Sequence, residues 1–129
     1  MKKQKLEESL LHRQHMPHQD VVESLLQRQH QAAIQDILDE LHPADIAYIL
    51  EALPVDQRIE LWDLVDPELD GAILVNVSDA VRETLISAMD KSELLSATEQ
   101  LDTDDIAYIA HDLPEEVMHE LLQKLNDQS

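Results

Sequence analysis

From residue 31 onward, apolar side chains recur at helical spacing. Ile34, Ile37, Leu38 and Leu41 fall at i, i+3, i+4 and i+7, the stripe of one buried helix face. Ile46, Ile49, Leu50 and Leu53 repeat the stripe, and so do Ile106, Ile109, Ala110 and Leu113. Prolines at 43, 54, 67 and 114 punctuate these segments. Proline suits the first turn of a helix, where its missing N–H has no partner to lose. Asp66 before Pro67 reads as an N-cap, and Ser78, Asp90 and Thr103 read as caps of three further helices. Asp90 with Glu93 three residues on reads as a capping box. Ahead of residue 31, Leu6, Leu10 and Leu11 mark a weak helix, and Val21, Val22, Leu25 and Leu26 a better one, with Pro17 between them.

The pattern is internally repeated. Asp45-Ile46-Ala47-Tyr48-Ile49 returns as Asp105-Ile106-Ala107-Tyr108-Ile109, and Leu53-Pro54 returns at the same offset of 60 as Leu113-Pro114. A diverged copy lies between. A shift of 24 takes Ile49, Leu50, Leu53, Arg58, Leu61 and Asp66 to Ile73, Leu74, Val77, Arg82, Leu85 and Asp90. A further shift of 36 takes Ile73, Val77, Leu85 and Met89 to Ile109, Leu113, Leu121 and Leu125. Each copy reads as two short helices. Such pairs cannot bury their apolar faces alone, so they stack on their neighbours. The expected fold is all-α, a superhelix of short stacked helix pairs with about 8–10 helices, its hand left open by the sequence. Residues 91–101 supply an extra helix that accounts for the longer second spacing.

Composition narrows the picture. The 129 residues suit one domain, and 43% of them are hydrophobic, enough for a core. That core is aliphatic, for there is no Phe and one Trp, Trp62, its largest packing residue. A single glycine, Gly71, excludes both a P-loop and a G-x-G-x-x-G turn, and leaves too little turn chemistry for a sheet protein. No cysteine means no disulfide, zinc knuckle or thiol nucleophile. No apolar run approaches the ~20 residues that span a bilayer. The net charge is -19 and is uneven: residues 1–30 carry +1, residues 31–129 carry -20. Nucleic acid and anionic membranes are excluded as partners of so acidic a body. The charge break sets an N-terminal arm, residues 1–18, apart from a helical-repeat domain, residues 19–129.

One family carries these features. Leu41-His42-Pro43-Ala44-Asp45-Ile46-Ala47, Leu53-Pro54, Leu101-Asp102-Thr103-Asp104-Asp105-Ile106-Ala107 and Leu113-Pro114-Glu115-Glu116 resemble the N-terminal domain of MgtE-type magnesium transporters. The resemblance runs over residues 20–126. It implies a helical superhelix on the cytoplasmic side of the inner membrane, followed in such transporters by a CBS pair, a connecting helix and a transmembrane channel. It implies a Mg²⁺-sensing regulatory element, with those CBS and membrane parts as its partners. The isolated domain is expected to be monomeric or weakly dimeric. The family's acidic residues that meet cations opposite the CBS pair match Asp104 and Asp105. Two further acidic positions of the family match Tyr108 and Ala72, so the set is incomplete.

The chemistry on offer is that of carboxylates. Mg²⁺ takes oxygen ligands, keeps several waters and commonly meets one or two protein carboxylates. Asp104 and Asp105 are the candidate metal ligands, and as half-sites they would bind on the order of mM. The same residues also read as ordinary helix-start acids, which the helix dipole favours. His12 and His15 can share a helix face and hold a transition metal, or belong to a solvated arm. His42 reads as a turn or cap residue, and His111 and His119 as isolated surface or satisfied histidines. Arg58 and Arg82, at equivalent repeat positions, read as structural ion pairs between helices or as partner contacts. No arrangement supports a catalytic triad, and the chain reads as no enzyme. The alternative function is a Mg²⁺-independent interaction scaffold, because short helical repeats of this kind also resemble those of the flagellar motor switch protein FliG.

Overall fold

The computed structural model describes residues 18–127. Among them lie nine α-helices, two 3₁₀ turns and no strand, as the helical periods predict. The described residues divide into two compact units that part between Val65 and Asp66. The expectations resting on Leu6, Leu10, Leu11, His12 and His15 lie outside the described residues.

The first unit holds α1 (His18–Gln27), α2 (Gln31–Asp39), α3 (Pro43–Ala52) and α4 (Val55–Leu64). Helix α1 packs on the other three, burying Val21, Val22, Leu25 and Leu26. It ends in a Schellman motif: His30 N–H donates to Leu25 O at 3.0 Å and Gln29 N–H to Leu26 O at 3.1 Å. Gln29 holds the left-handed position, φ 60°, where glycine is usual. His42 caps α3, and the Asp45 carboxylate accepts the His42 N–H at 3.3 Å. Pro43 follows at the first helical position. The predicted stripe of α3, Ile46, Ile49, Leu50 and Leu53, is buried throughout, and Trp62 of α4 joins it in the core.

The second unit opens with Asp66, whose carboxylate accepts the Glu68 N–H at 3.0 Å and caps the 3₁₀ turn Pro67–Leu69. Then come α5 (Asp70–Asn76), α6 (Asp79–Ser87), α7 (Lys91–Glu99), α8 (Thr103–Ile109), a 3₁₀ turn Ala110–Asp112 and α9 (Glu115–Asp127). Ser78 caps α6. The Asp90–Glu93 capping box forms at both its bonds, 2.8 and 3.0 Å. One cap differs from expectation. Asp102, not Thr103, caps α8, because its carboxylate lies 2.9 Å from the Asp105 N–H while Thr103 is the first helical residue. The helical stripe around Ile109 is also shorter than its period suggests, since the chain tightens to 3₁₀ at Ala110.

Gly71 is where α5 meets α7. A Cβ there would lie 2.6 Å from the Ala97 carbonyl oxygen. The bare backbone lets Gly71 N–H donate to Gln100 Oε1 at 2.9 Å, while Gln100 Nε2 donates to Pro67 O at 2.9 Å. Helix α9 lies on α7, with Lys91 paired to Glu120 and Lys124 to Glu99.

Candidate functional site

The repeat places one arginine in each of the first two copies, and both bind the end of the preceding helix. Arg58 donates from Nε to Leu50 O at 2.8 Å and from Nη2 to Leu53 O at 3.0 Å. Arg82 donates from Nε to Leu74 O at 2.7 Å and from Nη2 to Val77 O at 2.8 Å. These carbonyls end a helix and lack partners within it, so the guanidinium serves as a C-terminal cap. Among the described residues the expected ion pair forms at Arg82 and not at Arg58: Arg82 Nη1 lies 2.7 Å from Asp79 Oδ1 and 3.2 Å from Asp112 Oδ2. At Arg58 the bonds run to carbonyl oxygens instead.

Around Arg82 the second unit gathers a polar cluster with Asp79, Asp112 and His111. The side chain is fully buried, and its guanidinium carbon lies 5.0 Å from the centre of the Tyr108 ring. Burial opposes the charge, but the hydrogen bonds to Asp79 and Asp112 outweigh it and hold the Arg82 pKa above its ordinary value. His111 Nε2 lies 3.2 Å from Asp112 Oδ2, so this histidine is not isolated. Asp79, His111 and Asp112 each bring one ligand atom within 4.8 Å of the others. Their residue types suit a metal ion, but their surroundings do not. Arg82 Nη1 already bonds both carboxylates, and a fixed guanidinium at that place repels a second cation. The cluster therefore does not fit a metal and acts as a salt bridge from the buried Arg82 to the exposed Asp79 and the half-buried Asp112. Spacing alone could not reveal it, although Arg82 was marked by its equivalence to Arg58.

Asp104 and Asp105 stand in the first turn of α8, outside that cluster. Because Asp102 takes the capping bond, the carboxylates of Asp104 and Asp105 are not spent on it. Asp104 is exposed and Asp105 half-buried. Exposed carboxylates at a helix start suit a hydrated divalent cation, which needs few direct protein ligands.

A third acidic feature was not apparent from the residues alone. Asp70, first residue of α5, is buried, and its pKa is pushed up to about 7. Burial is the main cause, and the charges of Glu93 and Asp66 add to it.

A family model for the MgtE intracellular N domain matches residues 41–129, from the turn before α3 to the end of the chain. The chain belongs to this family. It is an N-terminal domain of the MgtE magnesium-transporter type, which is a transporter domain and not an enzyme family. The match begins later than the sequence resemblance, so α1 and α2 of this MgtE N domain precede it. No curated protein matches the chain. Among the described residues no helix is long and apolar enough to cross a membrane.

Proposed function

We propose that this MgtE N domain is the Mg²⁺-responsive regulatory element of a magnesium transporter, acting from the cytoplasmic side on a separate channel part. The observation that carries the reading is the family match over residues 41–129, in a body where residues 31–129 have a net charge of -20. Such a surface gathers divalent cations without a built cage. Asp104 and Asp105 are the residues assigned to meet the cation, with the partner's carboxylates completing the shell. At high Mg²⁺ the cations bridge the acidic faces of this domain and a CBS pair and favour the closed channel. At low Mg²⁺ the carboxylates repel and the faces part. The cation acts by its higher affinity for the bridged state.

The test is an amide-resonance titration of the chain with MgCl₂ at constant ionic strength, followed by the same titration with the CBS pair attached. Shifts centred on residues 102–106, saturating on the order of mM for the domain alone and lower with the CBS pair, are expected. If no resonance near Asp104 or Asp105 moves in either form, the reading fails.

A further inference from the structure

Helix α9 has a second apolar stripe that, among the described residues, is half-buried at Met118 and exposed at Leu122. Val117 and Leu121 are buried against the core. Met118 and Leu122, one position on from each, line an open groove of about 490 Å³ together with Leu113, Glu115, Glu116 and His119. The repeat shows what this face is built for. Leu121 has Leu61 and Leu85 as its equivalents, and all three are buried. Leu122 has Trp62 and Ile86 as its equivalents. Those are 6% and 5% exposed, but Leu122 is 54% exposed. A large apolar side chain is kept at a position covered in both earlier copies. Met118 stands where those copies have Arg58 and Arg82, so the third copy puts a flexible apolar side chain where the others put a cation.

We propose that this groove is a docking site for a basic amphipathic helix of a partner protein, with aliphatic side chains seated over Leu113, Met118 and Leu122. Charge selects the occupant. The groove is lined by the carboxylates of Glu115 and Glu116 beside His119, whereas Lys124 of α9 is paired to Glu99 of α7, and Lys91 of α7 is paired to Glu120 with Glu116 acting on it from further off. Lysines or arginines flanking the helix's apolar stripe meet those glutamates. A second copy of this face brings the same two glutamates against themselves in a chain of net charge -19, so a homodimer through the groove is disfavoured. The proposal is independent of the Mg²⁺ reading, because Asp104 and Asp105 do not line the groove.

The experiment uses the full chain and a synthetic 18-residue amphipathic peptide of leucine and lysine, with a leucine–glutamate peptide of the same pattern as control. Amide shifts are expected to cluster on residues 113–122 with the lysine peptide and to be absent with the glutamate one. Leu122→Ala is expected to weaken binding about tenfold, the loss of one buried leucine's contact. Because the position is exposed and alanine is a good helix former, the variant's circular dichroism and melting should match wild type. The double variant Glu115→Gln/Glu116→Gln is expected to weaken binding and to reduce its salt dependence. MgCl₂ in place of KCl at equal ionic strength should leave the affinity unchanged. Shifts spread evenly over the acidic surface and insensitive to Leu122→Ala would overturn the proposal as mere charge attraction. Equal binding of the glutamate peptide, or self-association of the free chain lost on Leu122→Ala, would overturn the choice of occupant.

Discussion

Arg82 makes, 24 residues further along the chain, the two backbone bonds that Arg58 makes: Nε to the carbonyl eight residues back and Nη2 to the carbonyl five residues back. A repeated side chain thus does repeated backbone work, which explains why an acidic body keeps two arginines at one repeat position. Arg82 does more, since its third nitrogen also holds Asp79 and Asp112. Removing it leaves two carbonyls and two carboxylates without their donor. Arg82→Met is expected to cost about 3–5 kcal/mol, the range for breaking a buried charged network. Arg58→Met, which strips only carbonyl bonds, is expected to cost about 1–3 kcal/mol. Arg82→Lys should resemble Arg82→Met, because an ammonium cannot span four acceptors in a plane. Urea unfolding of the three variants checks the order.

Gly71 gives a prediction whose sign is diagnostic. Glycine to alanine inside a helix ordinarily stabilises by about 0.5–1 kcal/mol. Here the new Cβ would lie 2.6 Å from the Ala97 carbonyl oxygen and 2.9 Å from Gln100 Oε1. The glutamine can turn away, but the backbone oxygen of α7 cannot without moving the helix. Gly71→Ala is therefore expected to destabilise by about 1–3 kcal/mol, the usual cost of overpacking. A lowered melting temperature supports the close α5–α7 approach, and a raised one contradicts it.

Much of this fold was legible in the residues. The stripes at Ile34, Ile46 and Ile106 each became a helix, and Asp66, Ser78 and Asp90 each cap one. Helix caps are local, so sequence neighbours suffice to read them. Thr103 misled because two cap-forming side chains are adjacent, and only backbone geometry decides that Asp102 takes the bond. The Arg82 cluster was less legible. Asp112 lies 30 residues away from Arg82, and it reaches that arginine through a 3₁₀ turn that the helical period of Ile106 and Ile109 does not announce. The burial of Asp70 was likewise hidden, since an acid at a helix start reads as solvated whichever way the turn faces.

Asp70 makes stability depend on pH. Burial, and then the charges of Glu93 and Asp66, push its carboxyl from the ordinary 3.8 up to about 7 in the folded state. A raised pKa means that the folded state binds the proton more tightly. The contribution is fully present below the unfolded pKa and is lost as pH rises through about 7. From this group, the protein is expected to lose on the order of a few kcal/mol between pH 4 and pH 8. Asp70→Asn removes the titration, so its unfolding free energy at pH 8 should exceed that of wild type while the two converge near pH 4. Chemical unfolding of both proteins across that range reads the difference directly. Parallel curves would show that Asp70 is ionised at little cost.

The first turn of α8 separates capping from cation binding. Asp102 accepts the Asp105 N–H, whereas Asp104 is exposed and makes no such bond. Asp102→Ala is expected to cost about 1 kcal/mol, the value of a lost N-cap. Asp104→Asn removes only a favourable charge at the helix start, worth about 0.3–1 kcal/mol, and it also relieves repulsion within an acidic body. Its net effect on stability should therefore be small, within about 0.5 kcal/mol of zero. Its effect on Mg²⁺ should not be small. If Asp104 meets the cation, Asp104→Asn abolishes the MgCl₂-dependent shifts near α8 while the melting curve stays in place. Asp102→Ala should show the reverse, a lowered melting point with the Mg²⁺ response retained in the folded fraction. Thermal unfolding with and without MgCl₂, at matched ionic strength, distinguishes the two. A Mg²⁺ response that survives Asp104→Asn and Asp105→Asn together would move the cation away from this turn.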